Sequence, residues 1–238
     1  MSKIWDYDCY DLRKFKPGEI DFFLDIGANV GTVSLQAKVL LPKAKVISLE
    51  PARDTFEILE RNMQQWKSTG IKLYNVALGD GSLMSFHRKG KAGSGMNRFY
   101  NQDEKDKWRK NYEYEIESKT IKQIFEDYKI DVEKKYIIKI DCEGGERFLL
   151  NDDRSIDIIK NSECLSMEIH FLPVKIRNKK FKNYEKFKTF PKWEIYREWM
   201  YDNFEKTHKI ICNTYLSSGL GMCHLSKLKK EKNGPNNF

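Results

Sequence analysis

Two short runs of this sequence bring together side chains that could move a proton. Asp141 and Glu143 close the apolar run YIIKID, and Glu168 and His170 lie in CLSMEIHF. Each pair is spaced by two, which on an extended strand puts both side chains on one face, so neighbouring strands would converge all four on one cleft. Three roles fit such a cluster. Asp141 or His170 could serve as a general base; the carboxylates could accept hydrogen bonds that orient a bound molecule's hydroxyls; or the group could hold Mg²⁺ or Mn²⁺. Spacing alone does not establish the last, which ranks behind the other two, and no residue is assigned as a metal ligand. Structural readings compete with these. Glu143 and Glu146 stand where acids cap a helix N-terminus, His170 also reads as a satisfied strand histidine, and Lys139 reads as a paired charge within an apolar strand.

A second constellation opens earlier, in DIGANVG over 25–31, where Asp25, Gly27, Asn29 and Gly31 follow the strand-like run DFFLDI. Glycines at such a turn let the backbone approach a ligand and adopt dihedrals that a Cβ forbids. The dinucleotide fingerprint G-x-G-x-x-G sets a pyrophosphate on a helix N-terminus, but here an acid comes first. Asp25 would repel a diphosphate, and it suits the ammonium group of a methionine moiety, directly or through water. Glu50, ending the run KVISLE, is placed to accept hydrogen bonds from two ribose hydroxyls. The combination favours S-adenosylmethionine over a nicotinamide cofactor. Asn75, Val76 and Ala77, ending a third strand, are expected to border the adenine.

The elements that must position these residues alternate. Strand-like runs at 21–26, 45–49, 71–77, 136–141 and 164–171 are separated by helical periodicities at 30–41, 56–66, 120–128 and from Arg147 onward. That order predicts an α/β fold, a mostly parallel sheet covered by helices on both faces. Residues 83–88 alternate like an added edge or hairpin strand, and 89–111 reads as a loop around Gly93 and Gly95 followed by a charged helical stretch. Trp193 to Phe204 reads as an amphipathic helix. His208 to Tyr215 and Gly221 to Leu228, joined through Ser217 and Gly219, read as an antiparallel hairpin at the sheet edge. In such a sheet, ligands bind beyond the carboxyl ends of the strands, where both constellations fall.

With these residues in view, the chain resembles the FkbM family of S-adenosylmethionine-dependent methyltransferases over about 21–171. The resemblance rests on FLDIGANVG, on Glu50-Pro51, on NVAL at 75–78 with its Gly-Asp turn, and most specifically on IKIDCEGGE at 138–146, closed by Glu146. It implies a Rossmann-like, seven-stranded class I methyltransferase sheet and O-methylation of sugars or natural products. The basic stretch from Lys175 to Lys192 and the Lys/Asn-rich tail depart from the family pattern.

Composition sets the bounds. At 238 residues, with 40% hydrophobic and 33% charged residues, one globular domain is expected, with 1–20 as an N-terminal extension, 172–192 as a basic insertion and 229–238 as a disordered basic tail. No apolar run is long enough to span a membrane. No targeting segment is legible at the start, so a cytoplasmic protein is expected. Between Lys175 and Lys192 eight Lys or Arg stand against Glu185 alone, and from Lys227 four Lys stand against Glu231. Together these exceed the net charge of +8 and leave the remainder slightly acidic. A local basic patch of this kind suits an anionic ligand. With Phe181, Tyr184 and Phe187 and the loop 90–97 as cover, the expected acceptor is a sugar or glycan hydroxyl, with or without phosphate. Methylation of RNA or protein is the alternative within enzymes, and a non-catalytic binding module the alternative outside them. The five scattered cysteines contain no C-x-x-C pair and are expected to be reduced, mostly buried thiols without a catalytic role.

Overall fold

The computed structural model describes residues 8–87, 98–100, 112–171, 191–215 and 220–228. Eleven strands and five α-helices occupy them. The main sheet is built from β1 (Phe22–Ile26), β2 (Lys45–Leu49), β3 (Ile71–Tyr74), β8 (Tyr136–Ile140), β9 (Cys164–His170), β10 (His208–Tyr215) and β11 (Leu220–Lys227), in the order β10-β11-β9-β8-β1-β2-β3. The five strands from β9 to β3 run parallel, and β11 lies antiparallel between β9 and β10. This is the expected seven-stranded, mostly parallel sheet. The C-terminal hairpin completes it, with β11 as an interior strand.

Why the central strands are apolar throughout follows from their cover. In β1, Phe22, Leu24 and Ile26 face one core, while Phe23 faces the other. Helices α1 (Thr32–Leu40) and α2 (Arg53–Met63) close the second face through Val33, Ala37, Leu59 and Met63. Helices α3 (Ile121–Asp127), α4 (Asp153–Asn161) and α5 (Trp193–Phe204) close the first through Ile124, Ile156, Met200 and Phe204. A strand buried on both sides has no solvent face to alternate toward, which is why such runs read as continuous hydrophobics. The start of α3 is fixed by a capping box in which Thr120 Oγ1 accepts from the Gln123 amide and Gln123 Oε1 accepts from the Thr120 amide.

Several local expectations are corrected. The run 71–77 is not one strand, since the chain leaves the main sheet after Tyr74. Ala77 and Leu78 form β4, which joins β5 (Leu83–His87), β6 (Arg98–Tyr100) and β7 (Tyr112–Lys119) in a second sheet ordered β4-β7-β5-β6. The segment from 83 is therefore not an edge of the main sheet, and 98–100, expected as loop, is a strand. Ala77, Met84 and Ile116 are the small core of this second sheet, a closure that local sequence does not announce. The helix expected from Arg147 is a tight 3-10 turn over Gly145–Asn151 followed by α4. The thiols are not all reduced: Cys212 and Cys223, direct partners across β10 and β11, form a disulfide, leaving Cys9, Cys142 and Cys164 free. The loop 90–97, the charged stretch 101–111, residues 172–190 with Phe181, Tyr184 and Phe187, the link at 216–219 and the tail 229–238 lie outside the described residues. Of the N-terminal extension, Tyr10, Leu12 and Ile20 are buried against the second-face core. Among the described residues no helix is long and apolar enough to cross a membrane.

Candidate active site

The turn after β1 is held from three sides. Gly27 and Ala28 donate their amides to Leu49 O, each at 2.9 Å, and the Asn29 amide donates to Glu50 Oε2 at 2.9 Å. The other oxygen of Glu50 accepts from the Ala52 amide at 2.9 Å, so one carboxylate braces both the turn and the start of α2. Gly27 has φ +77°, and a Cβ there would lie 1.8 Å from the carbonyl oxygen of Asp141. Only glycine permits that approach, and it brings the glycine turn against the end of β8. Gly31, with φ +92°, has Leu59 and Met63 of α2 where a Cβ would go. Asn29 adopts φ +52°, and its Oδ1 is buried with no hydrogen-bond partner among the described residues. Asn75 Nδ2 donates to the carbonyls of Glu50 and Pro51, at 2.8 and 3.0 Å, and so fixes the adjoining loop. Val76 and Ala77 are buried beside it.

Asp25, expected to meet a ligand ammonium directly or through water, lies behind the turn. It is fully enclosed, with Oδ1 2.9 Å from Lys139 Nζ and Oδ2 accepting from Ser34 Oγ at 2.6 Å. Lys139, 2% exposed, also donates to the carbonyls of Gly27 (2.6 Å) and Ile26 (3.3 Å). Burial alone would lower its pKa, but the charges of Asp25 and Asp141 more than reverse this and hold it protonated. A direct contact between Asp25 and a ligand ammonium would require it to leave a partner that also ties down the turn. The geometry instead makes Asp25 and Lys139 a brace behind the turn, in keeping with the paired-charge expectation for Lys139.

The four expected catalytic residues do meet. His170 Nδ1 lies 3.1 Å from Glu146 Oε1, and Nε2 lies 3.3 Å from Glu143 Oε2 and 3.7 Å from Glu168 Oε1. Single ligand atoms of Asp141, Glu168 and His170 all lie within 4.8 Å of one another. Burial acts to lower the pKa of His170, but the charges of Glu146 and Glu143 and their hydrogen bonds outweigh it and push it up to about 11. Its acidic neighbours thus favour the charged imidazolium form of His170. Burial, reinforced by the charge of Asp141, raises Glu168 to about 7. Burial likewise raises Asp141, against the pull of Lys139 and His170. Burial also lifts Glu50 to about 7, against the amides of Ala52 and Asn29.

Two members of the site were not marked as site residues in the sequence. Tyr10 donates its hydroxyl to Asp141 Oδ2 at 3.4 Å, its ring lies beneath Lys139 Nζ at 5.6 Å, and its carbonyl accepts from Ser166 Oγ at 3.1 Å. It reaches the site from an N-terminal segment with no motif of its own. Glu146, read as a family acid or a helix cap, is at once in the first turn of the 3-10 segment and the fully buried partner of His170. Its spacing of five from Asp141, in a turn through Gly144 at φ +106°, is the signal that could have joined it to the cluster.

A family model described as the Methyltransferase FkbM domain matches residues 25–203. Among curated proteins, the chain is 26% identical over 171 residues to Methyltransferase 1 of Beauveria bassiana, covering 64% of this chain and 66% of the relative. It is 27% identical over 187 residues to the hexuronic acid methyltransferase AglP of Haloferax volcanii, covering 74% and 67%. Among solved structures, the methyltransferase FkbM of Methylobacillus flagellatus superposes with a TM-score of 0.53 at 13% identity, over 87% of this chain and 44% of that one. SMU.1697c of Streptococcus mutans, solved in complex with SAH, superposes with a TM-score of 0.51 at 7% identity, over 96% and 99%. The likeness to the two structures is one of fold. The chain thus spans just under two thirds of the Beauveria relative and less than half of the Methylobacillus protein.

Proposed function

From the premise that this chain belongs to the FkbM methyltransferase family, we propose that it binds S-adenosylmethionine at the turn after β1 and directs its methyl group to an oxygen of a sugar or uronic acid. The observation that carries the reading is the abutment of Gly27 on Asp141, which sets the glycine turn directly beside the acid cluster. The feature of the turn that fits a ligand is the unpartnered Oδ1 of Asn29, beside the carboxylate of Glu50 that holds the Asn29 amide. Glu50 would accept from the ribose hydroxyls with the lone pairs its two backbone bonds leave over. Val76 and Ala77 would lie along the adenine, and Asp25 would act through Lys139 by holding the turn.

When bound, S-adenosylmethionine supplies an electrophilic methyl carbon on a sulfonium sulfur. Displacement at that carbon needs the acceptor oxygen opposite the sulfur and a place for its proton. Asp141, at the end of β8 against the turn, is the proton acceptor, and Tyr10 holds its carboxylate in place. Glu143 and Glu168 accept hydrogen bonds from further hydroxyls of the acceptor. His170, charged and held between Glu146 and Glu143, balances part of the negative charge and fixes their orientation. The sugar-acid assignment draws on the likeness to AglP.

The test is calorimetric titration with S-adenosylhomocysteine, with NAD as control, followed by transfer of labelled methyl to free uronic acids and neutral sugars. Binding of S-adenosylhomocysteine alone and base-stable or ester label on a sugar is the expected result. Binding of NAD, or of neither, overturns the cofactor reading, and label confined to RNA or protein overturns the acceptor reading.

A further inference from the structure

We propose that Asp141, Glu168 and His170 form a divalent-cation site of the Mg²⁺ or Mn²⁺ type, with Glu146 as the carboxylate that orients the imidazole from behind. As a binding site it stands on the geometry of this cluster; its part in methyl transfer rests on the reading above.

The donor set comes first. Glu168 and His170 share one face of β9, and Asp141 follows the adjacent β8. One oxygen from each acid and one ring nitrogen lie within 4.8 Å of one another, with Glu168 Oε1 3.7 Å from His170 Nε2. Around an octahedral cation with bonds of about 2.1 Å, neighbouring donors stand about 3 Å apart and opposite donors about 4 Å. Small side-chain rotations therefore suffice to close the set. Two carboxylates with a single imidazole favour a hard, oxygen-preferring ion over zinc.

Behind the ring, His170 Nδ1 faces Glu146 Oε1 at 3.1 Å. A metal-bound histidine typically donates its far N–H to a carboxylate in this way, which fixes tautomer and ring plane. Glu146 is wholly enclosed and points at the imidazole, yet its second oxygen has no hydrogen-bond partner among the described residues. The carboxylates of Asp141, Glu146 and Glu168 thus gather about one imidazole, a donor set that a divalent cation would draw together. On binding it takes the place of the Nε2 proton, which leaves to solvent, and frees Glu143 from that nitrogen. Seated beside Asp141, the ion would also hold an acceptor oxygen and lower its pKa.

The experiment is titration of the full chain with Mn²⁺, following the free-ion signal by electron paramagnetic resonance, with S-adenosylhomocysteine binding measured on the same samples. One Mn²⁺ per chain is expected. Glu168→Gln, isosteric and at a side chain 30% exposed, should weaken it at least tenfold while leaving S-adenosylhomocysteine affinity unchanged. Glu146→Gln, one shell out, should cost about 10- to 100-fold. No uptake at millimolar Mn²⁺, or uptake unaltered in both variants, overturns the proposal. Uptake that is lost in the variants, from a chain that does not bind S-adenosylhomocysteine, upholds the cation site and overturns the methyltransferase reading instead.

Discussion

Asp25 and Lys139 are register partners on the parallel strands β1 and β8, and their charged groups meet at 2.9 Å with neither side chain more than 2% exposed. The pair connects the strand carrying the glycine turn to the strand carrying Asp141. Removing one partner strands a buried charge. Lys139→Met should cost about 3–5 kcal/mol in urea unfolding, and Asp25→Asn added to it should recover part of that loss. If the single variant unfolds like the wild type, the brace is not a structural element.

Gly27→Ala puts a methyl group into the Asp141 carbonyl, so the ends of β1 and β8 must part. Misplacement on that scale should lower S-adenosylhomocysteine affinity about 100-fold by calorimetry. Gly18→Ala is the control: it shares a positive φ, but its Cβ would meet only the flexible Lys43 side chain. It should cost about 1 kcal/mol of stability and leave affinity intact.

Glu50 gives a pH signature. Its pKa is raised from 4.5 in the unfolded chain to about 7 in the fold, so the folded state binds the proton more tightly. That contribution to stability is fully present below about 4.5 and is lost as pH rises through about 7. Wild type should therefore lose stability relative to Glu50→Gln between pH 5 and pH 8 in paired thermal melts. On the proposed ribose contact, which uses the carboxylate, S-adenosylhomocysteine affinity should change the other way, weakening severalfold from pH 8 to pH 6 in wild type and staying flat in Glu50→Gln.

Tyr10 separates packing from positioning. Tyr10→Ala removes a buried ring from the second-face core and should cost about 3–5 kcal/mol. Tyr10→Phe keeps the ring and loses only the hydroxyl on Asp141. It should leave stability within about 1 kcal/mol and lower kcat severalfold at unchanged S-adenosylhomocysteine affinity. Equal turnover in Tyr10→Phe and wild type would remove Tyr10 from the site.

The main sheet was legible because strands buried on both faces have to be apolar and the turns between them carry their own punctuation, as at Gly27 and Gly31. The convergence of Asp141, Glu143, Glu168 and His170 was legible from period-two spacing on two runs that turned out to be neighbours. What spacing does not carry is charge balance. Lys139 opposite Asp25 and the acids around His170 bear on how each side chain is charged and held, and no spacing announces either grouping. The second sheet was missed because β4 has only two residues and β6 three, too short for any period to show. Tyr10 was missed because its role is fixed entirely by contacts more than 100 positions away.

The insertion of β11 between β9 and β10 also imposes an order of events on the ribosome. Leu220 and Met222 lie opposite His170 and Glu168 in register, so the strand bearing half of the acid cluster keeps a bare edge until the last strand of the sheet, β11, has been synthesised. A nascent chain halted before that point would hold the turn, Glu50 and Asp141 but present β9 as an open template for another chain. Assembly of the site is thereby tied to synthesis of β11, and stops placed before Leu220 should yield aggregates in place of weakly active fragments.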